Sequence, residues 1–450
     1  MPPVQFTYPF CYVPDEEIKE AASALSKHIT DTPYLQKLFQ EGKMMGILWA
    51  EKPDGTTTFL YSFSGSVLGH GKIEGFVPPI FDLTEPGGFY RAKEKEITEL
   101  NRLWNEFPER RKEIEEERKT KSAALQDWIF DQYVVHNAKG EELTVRQVFA
   151  MRGIVPPGGT GDCAAPKLLE YAYRNGLKPL AMGEFWYGDS PAREVRHHGM
   201  FYPACTGKCG PLLTWMMQGL DIEENPLEKG FPVNSEIEVL YEDEAIVVVD
   251  KPSGMLSVPG RTEAVSLLEI LRKTRPSLYS CHRLDMDTSG VMVFAKTEEI
   301  QANIEQQFEN RQVSKSYTAR LIAGDHPFKG RRKGTIALPI GPDWYDRPRQ
   351  MVDPENGKKA ITEYEILRTL PSGEMDVRFI PHTGRTHQLR VHAAHKDGLG
   401  HPIKGDRLYG CADGGRLHLH AETLSFFHPI SGERVCYSHS IVAGGFEETS

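Results

Sequence analysis

The chain has 450 residues, enough for two or three domains with real cores, and its 39% hydrophobic and 26% charged content is that of a soluble globular protein. Its apolar runs fall short of the ~20 residues that cross a bilayer, and Met1-Pro2-Pro3-Val4-Gln5 has neither a basic region nor an apolar signal core, so a cytoplasmic protein with no membrane partner is expected. Seven scattered cysteines argue against a disulfide framework, and the net charge of -10 neither predicts nor excludes a nucleic acid partner, because local patches set the field that phosphates meet.

Residues 15–28 have the spacing of an amphipathic helix with acids in its first turn. Two β-rich apolar runs, 44–50 and 56–63, are joined through Lys52-Pro53-Asp54-Gly55, a hairpin signal because Pro and Gly suit turn geometry. From 89 to about 133 opposite charges interleave, which predicts a long helical insertion interrupted or restarted at Pro108. A further helix opens at Cys163-Ala164-Ala165-Pro166 and runs to about Arg174, a strand follows over 180–187, and another helix starts at Pro211. Cys163, Cys205 and Cys209, with His198 nearby, form the chain's cysteine cluster. They suit a structural zinc, and equally suit buried unligated thiols.

This order of helix, hairpin, cysteine-led helix, strand and cysteine-pair helix is similar to the zinc-dependent nucleobase deaminase fold. The resemblance covers roughly 15–220 and implies an α/β fold for an N-terminal domain over 1–230, with the helical insertion at 89–133 and a zinc held by Cys163, Cys205, Cys209 and His198. Ala165 stands where those enzymes carry their general acid/base Glu, and the Cys205–Cys209 spacing is one residue too wide, so the domain would be degenerate for deamination.

A polar, Pro- and Gly-bearing link over 225–234 places a boundary near 230. Beyond it, sequential strands and short helices predict an α+β domain over 231–450 around a mixed, largely antiparallel sheet. Its central stretch is Cys281-His282-Arg283-Leu284-Asp285-Met286-Asp287-Thr288-Ser289-Gly290, a charged turn running into an apolar strand. On its own it reads as either a structural turn or a site. Asp287 reads as a turn-bonding residue.

The motifs His282-Arg283-Leu284-Asp285 with Thr288-Ser289-Gly290, Lys315 with Tyr317, Gly384-Arg385-Thr386-His387-Gln388-Leu389-Arg390, and His401-Pro402 with Gly405-Asp406 occur in order over about 236–440. Together they resemble the RluA-type pseudouridine synthases. That resemblance implies cofactor-free isomerisation of uridine in structured RNA, large-subunit rRNA or tRNA or both. Asp285 would be the essential carboxylate, Tyr317 would stack on the uracil, and Arg390 would pair with Asp285 and keep it ionised. Arg283 would fill the gap left by the flipped uridine, and Arg385 and His387 would contact the substrate.

Overall fold

At the expected hairpin Gly55 takes a φ of 82° and Asp54 Oδ1 accepts the Thr56 N–H, so β1 (Lys43–Glu51) and β2 (Thr57–Phe63) pair antiparallel. The computed structural model describes residues 2–67, 71–83, 88–226, 235–260, 264–323, 328, 330–344, 346–410, 413 and 415–441. It divides into two compact units, one of residues 1–189, 197–223 and 344–347, the other of 190–196, 224–343 and 348–450. Most of the link expected over 225–234 lies outside the described residues.

In the first unit α1 (Glu16–Asp31) and α2 (Pro33–Phe39) lead into the hairpin. The charged insertion folds as α3 (Phe89–Glu106) and α4 (Arg111–Gln132), broken around Pro108 and laced by exposed pairs such as Arg102 with Glu99 and Glu106. Two short strands, β3 (Val134–His136) and β4 (Glu142–Thr144), precede α5 (Val145–Ala150). Then α6 (Ala164–Arg174) starts at Cys163, β5 (Lys178–Tyr187) pairs antiparallel with β1, and α7 (Gly210–Met216) starts at Cys209. The sheet order is β2-β1-β5. Alternation along β1 sends Leu48 and Ala50 into one core and Met45, Ile47 and Trp49 into another, so apolar layers cover both faces.

The second unit is built on β6 (Val239–Glu242), β7 (Ile246–Lys251), α8 (Leu267–Arg272), β8 (Tyr279–Ser280), β9 (Ser289–Ala295), α9 (Glu298–Glu309) and β10 (Ser314–Leu321). After these come β11 (Lys333–Ile336), β12 (Ile340–Pro342), β13 (Gln350–Val352), β14 (Thr362–Thr369), β15 (Met375–Pro381), α10 (Gln388–Ala394), β16 (Leu419–Phe427) and β17 (Arg434–Ser438). Eight strands run in the order β11-β14-β15-β10-β16-β9-β7-β6, with β17 added on β16 and β8 on β9. Among these pairings only β9 with β16 is parallel, so the sheet is mixed and largely antiparallel, as expected. At that seam Gly290 has φ 121°, and a Cβ there would stand 2.3 Å from the Ala421 carbonyl oxygen; only glycine lets the two backbones approach this closely. Every residue of β9 is buried, which makes the strand a rigid mount for the charged loop before it.

Candidate active site

The loop entering β9 is fixed from behind. Lys251, fully buried at the end of β7, donates from Nζ to the carbonyls of Pro252, Met255 and Met286 at 2.9, 2.6 and 2.9 Å. Ser257 Oγ donates to the Leu284 carbonyl and accepts the Leu284 N–H, and Ser253 Oγ donates to the Asp287 carbonyl. The Thr288 N–H closes the turn on the Asp285 carbonyl at 3.1 Å. The turn is thus held through its main chain, which leaves the Asp285 side chain, 23% exposed, facing open space.

That space is a cleft of about 680 Å³ in the second unit, within the ~300–1,000 Å³ range of small-ligand pockets. Its walls include Arg283, Asp285, Tyr317, Arg385, His387 and Arg390, so three sequence segments up to about a hundred residues apart converge on one surface. Tyr317 stands on β10 between Phe379 of β15 and Ala421 of β16, which aims it from the sheet. Arg283 is exposed at the rim. Arg385 is also exposed; its Nε donates to the Lys359 carbonyl at 3.1 Å, and Gln388 Oε1 accepts its N–H. His387 caps α10 with a left-handed φ of 53°, and its Nε2 stands 4.0 Å from Asp285 Oδ2.

Arg390 differs from expectation. Its Nε and Nη2 donate to Asp406 Oδ2 and Oδ1 at 2.8 and 2.6 Å, so Asp406, and not Asp285, is its hydrogen-bonded partner. Burial outweighs its field and pushes the Asp285 carboxyl up, while the nearby positive charges of Arg390, Arg283 and Lys251 pull it down and Asp287 adds to the rise. Asp287 is more than a turn former: it makes a 3.0 Å ion pair with Arg407, and the nearby Arg407, Arg390 and Lys251 charges overcome its burial to hold its carboxyl low. Burial brings Lys251 down to about 7, against the pull of Asp287 and Asp285. Burial and the Asp285 charge keep the Tyr317 hydroxyl protonated.

Sequence reasoning passed over Lys251, Arg407 and Tyr409, and gave no role to Asp406. The last three lie in Gly405-Asp406-Arg407-Leu408-Tyr409, a polar run between apolar residues that marks a loop aimed inward. His392 and His395 are framework groups. His392 meets Thr362 Oγ1 and donates to the Leu338 carbonyl, and His395 donates to the Ala192 carbonyl.

Of the four expected zinc ligands, Cys163, Cys205 and Cys209 lie near one another, and His198 does not join them. Cys163 lies against Cys209, whose hydrogen bond raises the Cys163 thiol well above its usual range, as burial does too. Cys205 Sγ accepts the Lys208 N–H at 3.2 Å, and burial lifts its thiol to about 12. His198 belongs elsewhere: its Nδ1 accepts the Gly188 N–H at 3.0 Å, and its ring lies 4.8 Å from Tyr187, which packs into the core on the opposite sheet face from that of Cys209. With the sheet between them, these residues do not fit one tetrahedral ion. Among the described residues, the one Asp/Glu/His/Cys group tight enough for an ion is Asp250, His420 and His439. There His420 Nε2 donates to the His439 carbonyl at 2.7 Å and Nδ1 is engaged by Ser289, so its ring is already committed.

The family description RNA pseudouridylate synthase matches residues 245–395. The dual-specificity RNA pseudouridine synthase RluA of Salmonella typhimurium is 43% identical over 205 residues, 44% of this chain and 90% of that protein. The Haemophilus influenzae protein of the same name is 38% identical over 226 residues, 48% of this chain and 96% of that one. Among solved structures, human RNA pseudouridylate synthase domain containing 4 is 26% identical, covers 45% of this chain and 88% of that chain, and has a TM-score of 0.38. Because the alignable half of this sequence spans nearly all of such relatives, the chain belongs to the RluA-type RNA pseudouridine synthases and is an isomerase that acts on RNA.

Proposed function

We propose that Asp285 is the essential carboxylate of this isomerisation and that the substrate is a uridine flipped out of structured RNA, in large-subunit rRNA, tRNA or both. The observation that carries the reading is the position of Asp285: a carboxylate on a loop fixed through its main chain, open to the cleft and ringed by Arg390, Arg283 and Lys251. In the reaction the C1′–N1 bond breaks, the uracil turns, a C1′–C5 bond forms, the C5 proton leaves and N1 gains one. Atoms balance with no cofactor. Asp285 supplies its anion as nucleophile or as electrostatic partner of the sugar or base. Tyr317 stacks on the uracil, Arg283 fills the vacated place in the helix, and Arg385 and His387 contact the substrate backbone and base. Dual specificity is in the name of the bacterial relatives, and it supports rRNA and tRNA as the first substrates to try.

The test follows from the lost C5 proton. RNA transcripts carrying uridine tritiated at C5 release tritium to water on conversion. The wild-type chain should release it from one or more sites, and Asp285→Asn should release none while still binding the RNA. Turnover by Asp285→Asn near the wild-type rate would sink the assignment.

A further inference from the structure

We infer that Tyr409 is a positioning residue that fixes the tautomer of His387, so that His387 presents an Nε2–H to Asp285. The inference deepens the reading of Asp285 as the essential carboxylate and rests on it. Among described residues, two that are not glycine have positive φ, Arg311 and His387. His387 sits at the N-cap of α10, but its side chain makes no capping hydrogen bond. The backbone is instead twisted so that the imidazole faces the cleft, and local strain of this kind survives only where neighbours over-determine it.

Tyr409 is the neighbour that does so. It is 1% exposed, and its ring meets the imidazole edge-on at 5.6 Å and 87°. Its Oη is 2.8 Å from the Gln350 N–H and 2.8 Å from His387 Nδ1. A backbone N–H can only donate, so one Oη lone pair is taken by Gln350, and among the described residues Nδ1 is the one acceptor within hydrogen-bond distance of the hydroxyl proton. Nδ1 is then the acceptor, and the ring proton must lie on Nε2, the atom 4.0 Å from Asp285 Oδ2. The charged groups facing the imidazole are Arg390 and Arg407, which oppose a second proton, and Asp406 and Asp287, which favour one; burial decides for the neutral ring. The Arg390 and Arg349 guanidinium groups lie 5.3 and 6.0 Å from the Tyr409 ring centre, positive charge that makes its hydroxyl a better donor. At 4.0 Å this N–H is beyond direct hydrogen-bond reach of Oδ2, so it acts on Asp285 as a fixed dipole of known sign beside the carboxylate.

The experiment uses the full chain labelled with ¹⁵N-histidine, with the His387 signals assigned by their loss in His387→Gln. In the wild type His387 should show an unprotonated Nδ1 and a protonated Nε2. Tyr409→Phe should move those signals toward a mixture of tautomers and lower kcat by roughly 10- to 100-fold, the range found when the hydrogen-bond partner that fixes a metal-bound histidine is removed. KM should stay near the wild-type value. A wild-type His387 protonated on Nδ1 overturns the inference, and that measurement needs no variant of Tyr409 to fold. An unchanged tautomer and kcat in Tyr409→Phe overturn it as well. Asp285→Asn assayed in parallel separates the two claims: turnover there removes the Asp285 reading, whereas a dead Asp285→Asn beside a wrong His387 tautomer removes only this one.

Discussion

Arg390 and Asp406 meet through two hydrogen bonds with 2% and 0% of their side-chain surfaces exposed, and Asp406 Oδ1 also accepts the N–H groups of Leu408 and Tyr409. A guanidinium paired in this way acts as a fixed structural pin beside Asp285. Its field reaches the carboxylate without a hydrogen bond. Breaking one side of such a buried pair leaves an uncompensated charge and costs about 3–5 kcal/mol. Asp406→Ala should therefore lower the urea midpoint by an amount of that size with little change in the slope. A loss below about 1 kcal/mol would mean that the pair is solvated.

Asp285→Asn should behave in the opposite way. The folded carboxyl titrates above its unfolded value because burial prevails. The stability linked to this group is thus full below the unfolded value and is lost as pH rises through the folded one, so at neutral pH the ionised side chain is a cost. The amide removes that cost. Asp285→Asn should be inactive and at least as stable as the wild type near pH 7 by thermal melting. For the same reason, the acid limb of kcat/KM in the wild type should fall above the ordinary Asp value of about 3.9.

How much of this was legible in the sequence depends on whether a residue acts through its chain neighbours or through space. The β9 strand, the hairpin around Gly55 and the broken charged helices follow from local spacing and turn chemistry, and the structure contains each of them. The residues lining the cleft were findable because their motifs are polar runs beside apolar strands. Pairing was not findable. Arg390 lies 105 residues after Asp285 and 16 before Asp406, and nothing local says which carboxylate it meets. The same limit separated His198 from the cysteines: a short gap in sequence hid a whole sheet between them.

At Gly290 the prediction is steric. With φ at 121° and the Ala421 carbonyl oxygen and nitrogen 2.3 and 2.5 Å from any added Cβ, Gly290→Ala must push β9 away from β16. Backbone atoms cannot swing aside as a side chain can. The variant should lose at least about 3 kcal/mol or fail to accumulate as folded protein, read by urea unfolding and soluble yield.

The buried histidines predict acid sensitivity. Burial holds His282 down at about 3 and His392, His418 and His420 each at about 4. His282 Nε2 accepts the Val293 N–H, an arrangement that needs the unprotonated nitrogen. The unfolded chain binds a proton at each near pH 6.5, so stability is lost as pH falls below that value and keeps falling until the folded groups titrate near 4 to 3. Each contributes about 1.4 kcal/mol per pH unit over that window. Urea midpoints measured between pH 7 and 4.5 should drop steeply, and His282→Gln should flatten the slope.

Arg283 offers the cleanest separation of binding from folding. It is exposed at the rim of the cleft, two residues from Asp285, on a loop whose main chain is anchored by Ser257 on the far side. Truncating an exposed side chain away from any packed contact changes stability by no more than about 0.5 kcal/mol. Under the proposed role, Arg283→Ala should melt with the wild type and lose turnover on folded RNA, because the flipped state no longer has a side chain in the vacated stack. A short single-stranded RNA, whose uridine needs no flipping, should be converted at nearly the wild-type rate by the variant. Equal losses on both substrates would assign Arg283 to phosphate contact instead, with the salt dependence of binding reduced by about one unit of slope.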